Sequence, residues 1–107
     1  MVERTIPEVI LRDIWKLIAE LEKENIAIER AILFGSHARG TATTWSDIDV
    51  ALVSPVFIGS RFDDNCRIRK IKVRVNTNIH THPYTHEDFA NSPFVHDEIL
   101  PHGISVK

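Results

Sequence analysis

The amino-acid sequence predicts a small α+β fold, and three observations carry that expectation. An apolar stripe at helical spacing opens the chain, two short apolar runs stopped by Gly or Pro read as buried strands, and a second helix-then-strand pattern follows. With 107 residues the chain suffices for one domain, spanning residues 1–107, and is too short for two.

The first helix is announced by Thr5 and Glu8 at capping-box spacing, with Pro7 where a missing N–H costs nothing. Ile10, Ile14, Leu17, Ile18 and Leu21 then put one apolar stripe toward a core, and Asn25 beyond Glu24 can close the C-terminus. Ala31-Ile32-Leu33-Phe34 is a strand stopped by Gly35, and Ile48 to Val53 is a second, stopped by Ser54 and Pro55. Gly35 to Ser46 connects them, long for a hairpin loop and rich in small and polar residues. Residues 61–74 fit a helix using Phe62, Cys66, Ile68 and Ile71, while Ile71, Val73 and Val75 alternate as in a strand. A helix over 61–73 and a strand over 76–81 are favoured. Thr85 with Asp88 predicts a short capped turn, Ser92-Pro93 a helix start, Pro101 and Gly103 its stop, and Ile104 and Val106 a last edge strand.

Composition narrows the function classes. A net charge of −2 gives no bulk basic surface, so nucleic acid is not an expected partner. The acid-free cations Arg67, Arg69, Lys70, Lys72 and Arg74 read either as a solvated face or as a strip facing polyphosphate or an acidic protein. No apolar run approaches the roughly 20 residues that cross a bilayer, so no membrane association is expected. The first residues do not read as a secretory signal. A lone cysteine, Cys66, fits a cytoplasmic setting and most simply packs.

The chemistry sits in Gly35-Ser36-His37-Ala38-Arg39-Gly40 and in Ser46-Asp47-Ile48-Asp49. A strand that ends in Gly-Ser and opens into a helix presents free backbone N–H groups at the positive helix end, a ready anion site. Gly35 lets a phosphate approach the backbone, Ser36 adds a hydroxyl, and Arg39 can add a forked donor. Asp47 and Asp49, two apart at a strand start, share a face and repel each other unless a cation lies between them. Hard oxygen ligands favour Mg²⁺ or Mn²⁺. An anion cradle beside a metal-binding carboxylate pair is what nucleotidyl transfer requires.

Gly35-Ser36, ten intervening residues and Asp47-Ile48-Asp49 resemble the signature of the DNA polymerase β-type nucleotidyltransferase superfamily. Arg39-Gly40, Ser46 and a closing Phe94…Glu98-Ile99-Leu100…Gly103-Ile104 resemble its minimal nucleotidyltransferase branch, antitoxin members included. The resemblance implies a small mixed sheet packed on helices, of the polymerase β palm-like type. It implies that Gly35, Ser36 and Arg39 bind NTP (ATP first) and that Asp47 and Asp49 bind two metal ions. It also implies an HEPN-domain protein as partner, which some such domains modify with AMP. A homo-oligomer stays open.

The superfamily places a third carboxylate on a later strand, within residues 76–82 here, and that segment contains no acid. The best-registered position is His80; Asn76 and Asn78 are weaker. One negative charge fewer weakens one metal position, while imidazole suits transition metals better than Mg²⁺ or can act as a general base. His80 and His82 would share a strand face, yet two ligands without a nearby third are weak evidence for a metal site. His37 borders the phosphate loop; His86, His96 and His102 read as surface residues, and Trp15 and Trp45 as packing residues, although Trp45 borders Asp47. Two functions follow. One is transfer of NMP to a hydroxyl through Asp47, Asp49 and His80. The other is a degenerate module that neutralises an HEPN protein by binding alone, through the Arg67–Arg74 strip and apolar residues near the C-terminus.

Overall fold

The protein, in a computed structural model, is described over residues 6–107. Thr5 of the expected capping box lies outside the described residues. Helix α1, Glu8–Lys23, begins at the cap residue Pro7, whose carbonyl accepts from the Ile10 and Leu11 amides. Ile14, Leu17, Ile18 and Leu21 are its buried stripe. Asn25 takes φ 64 just beyond the helix, the left-handed conformation that Asn tolerates at a helix C-terminus.

Strands β1 (Arg30–Phe34) and β2 (Ile48–Val53) form where the two apolar runs predict them. The connection between them holds a four-residue helix α2, Ser36–Arg39. Helix α3 covers Arg61–Lys72, which decides for helix over strand in that segment, but its buried face differs from the expected one. Phe62 and Cys66 are exposed, and Ile68, Ile71 and the carboxylate Asp64 face inward. Burial of Asp64 is balanced by hydrogen bonds: its carboxylate accepts from the Ile58 and Gly59 amides and ties down the loop before the helix.

Strand β3 runs Ile79–Tyr84, three residues later than expected, because Asn76 folds a turn ahead of it and accepts from the Asn78 amide through its side chain. The capped turn at Thr85 extends into a helix, α4 (His86–Asn91), with the Thr85 hydroxyl accepting from the Asp88 amide. The Ser92-Pro93 start leads into a π-helical turn, Val95–Ile99, and strand β4 (Ile104–Ser105) closes the chain against β1.

The sheet order is β3-β2-β1-β4, with β1 antiparallel to both neighbours and β2 parallel to β3. This is the mixed sheet on helices that the resemblance implies. Pro83 is tolerated because β3 is an edge strand. Pairing of Phe34 with Asp49, and of Asp49 with His80, fixes which side chains share a face. One face carries Ala31, Leu33, Ile48, Val50, Leu52 and Ile79 into the main core with α1 and α3. The other carries Ile32, Phe34, Ala51 and Val53 against Phe89, Val95 and Ile99 of α4 and the π-turn. By strand alternation Asp49, His80 and His82 lie on that second face. No helix among the described residues is long and apolar enough to cross a membrane.

Candidate active site

Two strand ends and one turn build the site. β1 delivers Gly35 at φ 76 and ψ −152, a conformation that side chains other than glycine's rarely adopt. A Cβ at this position would come within 2.6 Å of the Asp49 carboxylate oxygen Oδ2. The bare Cα of Gly35 makes room for Asp49, and the start of α2 lies directly against that carboxylate. The first backbone N–H groups of a helix have no partner within it, and here those belong to Ser36 and His37.

β2 and β3 supply the rest. Asp49 and His80 are register partners on adjacent parallel strands, and His82 follows on the same face. Asp49 Oδ1 lies 3.2 Å from His80 Nδ1 and 3.2 Å from His82 Nε2. The ligand atoms of the three residues all fall within 4.8 Å of one another. The two imidazole rings are 4.6 Å apart between centroids, and Phe34 packs edge-on against His82 at 4.8 Å. His82 is the member that sequence reasoning left aside for want of a nearby third group; Asp49 supplies that third group.

His82 differs from His80 in its surroundings. It is buried, whereas His80 is exposed. Arg61, the first residue of α3, donates from Nη2 to His82 Nδ1 at 2.7 Å. Guanidinium has only donors, so Nδ1 must accept, and the ring proton sits on Nε2, which donates to Asp49. Burial pushes the His82 pKa below the ordinary histidine value, with the His80 and Arg61 charges adding to the effect and the Asp49 hydrogen bond opposing it.

The other expected residues fall around this cluster. Asp47 is exposed and lines a hollow of about 170 Å³ with Lys72, Thr77, Asn78, Ile79 and His80; it is not one of the three clustered ligands. Burial lowers the Lys72 pKa, as does the Arg69 charge, while Asp47 opposes the shift. Arg39 is paired with Glu98 of the π-turn at 2.8 Å. Of the basic strip, Arg69 and Lys72 border a groove that reaches His80, whereas Arg67, Lys70 and Arg74 line a different one beside Glu24. Trp45 is 91% exposed, so it packs nothing, and Trp15 is half exposed with its indole N–H donating to the Val106 carbonyl. Among the remaining histidines, His86 pairs with Glu29 and His96 lies against the Ala90 carbonyl, both on the surface.

Asp49, His80 and His82 could together hold a divalent metal ion. Of these three ligands the Asp49 carboxylate offers the hard oxygens that Mg²⁺ prefers, while the histidine nitrogens suit softer divalent ions.

Comparisons with known proteins bear on the family and the fold. The family model of the nucleotidyltransferase domain matches residues 11–105, nearly the whole chain. A crystal structure of a protein from Sulfolobus solfataricus, provisionally named a nucleotidyltransferase, superposes with a TM-score of 0.65 at 17% identity. The match covers 90% of this chain and 78% of that one, a likeness of fold. No curated protein matches the sequence significantly. With the Gly35-Ser36 turn set against Asp49 and a family match that spans α1 to β4, the chain belongs to the nucleotidyltransferase domain family.

Proposed function

We propose that this domain binds an NTP, ATP first, with a divalent ion and transfers its NMP to a hydroxyl on an acceptor, an HEPN-domain protein being the leading candidate. The observation that carries this reading is the contact between Gly35 and Asp49, which sets a phosphate-type turn and a carboxylate side by side. The N–H groups at the start of α2 and the Ser36 hydroxyl would hold the β- and γ-phosphates. Arg39 would exchange Glu98, an exposed partner, for a phosphate oxygen. A divalent ion at Asp47 and Asp49 would neutralise the triphosphate and polarise the reacting phosphate. The acceptor oxygen forms its bond to the α-phosphorus as the bond to the β-phosphate oxygen breaks and pyrophosphate leaves. The acceptor's proton would pass to His80, which is exposed at the site and within reach of Asp49. A setting in the cytoplasm and a one-domain organisation over 1–107 belong to the same proposal.

The test is incubation with ATP labelled at the α-phosphate, with and without candidate acceptors. The expected result is metal-dependent transfer of label with release of pyrophosphate, lost in Asp49→Asn. Label that stays in ATP under every metal and acceptor condition, from folded protein, would contradict transfer.

A second reading is supported by the missing third acid and by exposed apolar side chains near the C-terminus, Phe94 and Leu100. On it, the fold acts as a binding module that neutralises an HEPN protein without catalysis. The substitution His80→Asp separates the two. Loss of transfer marks His80 as a working group, whereas a gain marks a decayed site.

A further inference from the structure

We propose that Asp49, His80 and His82 form a binding site for one borderline divalent transition-metal ion of the Zn²⁺ and Co²⁺ class, which they hold in preference to Mg²⁺, and that Arg61 competes with this ion for His82. The site goes beyond nucleotide transfer and departs from the all-carboxylate site that the family resemblance implies. It shares Asp49 and His80 with the proposed transfer site, but metal binding there needs no nucleotide and is read without catalysis.

The donor set decides the class of ion. Two imidazoles and one carboxylate match Zn²⁺, Co²⁺ or a similar ion, whereas Mg²⁺ holds to near-octahedral oxygen ligands. The spacing agrees. Ligands about 2.0–2.2 Å from a common ion stand roughly 3.0–3.5 Å from each other in tetrahedral or octahedral shells. The two contacts to Asp49 Oδ1 are each 3.2 Å. The remaining separation, within 4.8 Å, closes by rotation of His80, whose side chain is exposed and free of core packing. The backbone frame is rigid, because adjacent parallel strands in register hold Asp49 and His80, and Phe34 holds the His82 ring.

Arg61 is the unusual element. A metal-bound histidine normally donates its second N–H to an acceptor, which leaves the first nitrogen's lone pair for the ion. Here a donor occupies that second position and keeps the proton on Nε2, the nitrogen that faces Asp49. Metal binding at Nε2 therefore requires the proton to move to Nδ1 and the guanidinium to withdraw. Arg61 is exposed at the start of α3 and borders a cavity of about 340 Å³ shared with Tyr84, Asp88 and Asn91, into which it can turn. The protein without metal thus fills the site with its own hydrogen-bonded chain, Arg61 to His82 to Asp49, and the ion replaces that chain.

The test is titration of the full chain with Co²⁺ in the absence of nucleotide, read by the visible ligand-field absorption. One saturable equivalent is expected, displaced by one equivalent of Zn²⁺ and unaffected by excess Mg²⁺. His80→Ala, at an exposed position, is expected to weaken Co²⁺ binding by about tenfold or more, and His86→Ala, on the surface away from the cluster, to leave it unchanged. Arg61→Met is expected to tighten binding by about tenfold, the equivalent of one charge-assisted hydrogen bond no longer opposing the ion. No absorption band, displacement of Co²⁺ by Mg²⁺, or equal binding by parent and His80→Ala would overturn the site. An Arg61→Met variant that binds no more tightly would overturn the competition. Nucleotide transfer that proceeds while this site fails leaves the catalytic reading intact.

Discussion

Gly35 shows how one missing Cβ ties backbone geometry to chemistry. Its φ of 76 already disfavours alanine, and the added carbon would press on Asp49 Oδ2. Gly35→Ala is expected to destabilise the fold by about 1–3 kcal/mol in denaturant unfolding, from backbone strain, and to abolish nucleotide binding through displacement of Asp49. Unchanged nucleotide affinity in the folded variant would contradict the role given to that contact. Tyr84, the only tyrosine, offers a pH test of its half-buried surroundings. Burial raises its pKa, opposed by the Arg61 charge and the Ser92 hydrogen bond. A raised acid pKa means that the folded state holds its proton longer than the unfolded state. Stability from this group is therefore complete below about pH 10 and lost as pH climbs toward the folded value. Phenolate absorbance should rise at higher pH in folded than in unfolded protein, and Tyr84→Phe should remove this share of the alkaline loss.

At the scale of elements, α3 connects a loop, a core face and the site. The Ser60 hydroxyl accepts from the Asp63 amide at its start, and Asp64 holds the loop amides. Ser60→Ala is expected to lower stability by about 1 kcal/mol, measured as a shifted unfolding midpoint at constant m-value. Ile68→Ala, at a fully buried position, should lower it by about 2–5 kcal/mol. Which elements the sequence discloses follows from how local their signals are. α1, β1 and β2 carry their own periodicity and stops, so they were legible almost to the residue. The inward face of α3 was not, because its apolar residues Phe62 and Cys66 face solvent while a carboxylate is buried. Only the loop amides, brought there by tertiary structure, make that burial tolerable. The start of β3 was misplaced for a similar reason, since the Asn76 turn that delays it depends on a side chain bonding its own backbone.

At the scale of the whole molecule, the site depends on the parallel pairing of β2 with β3, two strands separated by all of α3. The nearness of Gly35 to Asp49 was legible because both lie in short motifs close in sequence, whereas Asp47 stands outside the cluster of Asp49, His80 and His82. The place of His80 opposite Asp49 was expected from resemblance to the family. The involvement of His82 was not, although its two-residue spacing from His80 was the available signal. Only the register that sets Ala51 opposite His82 shows how near it stands to Asp49, and nothing local in the sequence announces Arg61. On the proposed function, this turn and these aspartates form a metal-dependent nucleotide site. The most direct measurement is calorimetric titration with a non-hydrolysable ATP analogue in Mg²⁺ and then in Mn²⁺, for the parent chain and for an Asp47→Asn, Asp49→Asn variant. Saturable binding that requires metal and disappears in the variant is expected. Heat-silent titrations with both metals from folded parent protein, or binding that persists in the variant, would contradict it.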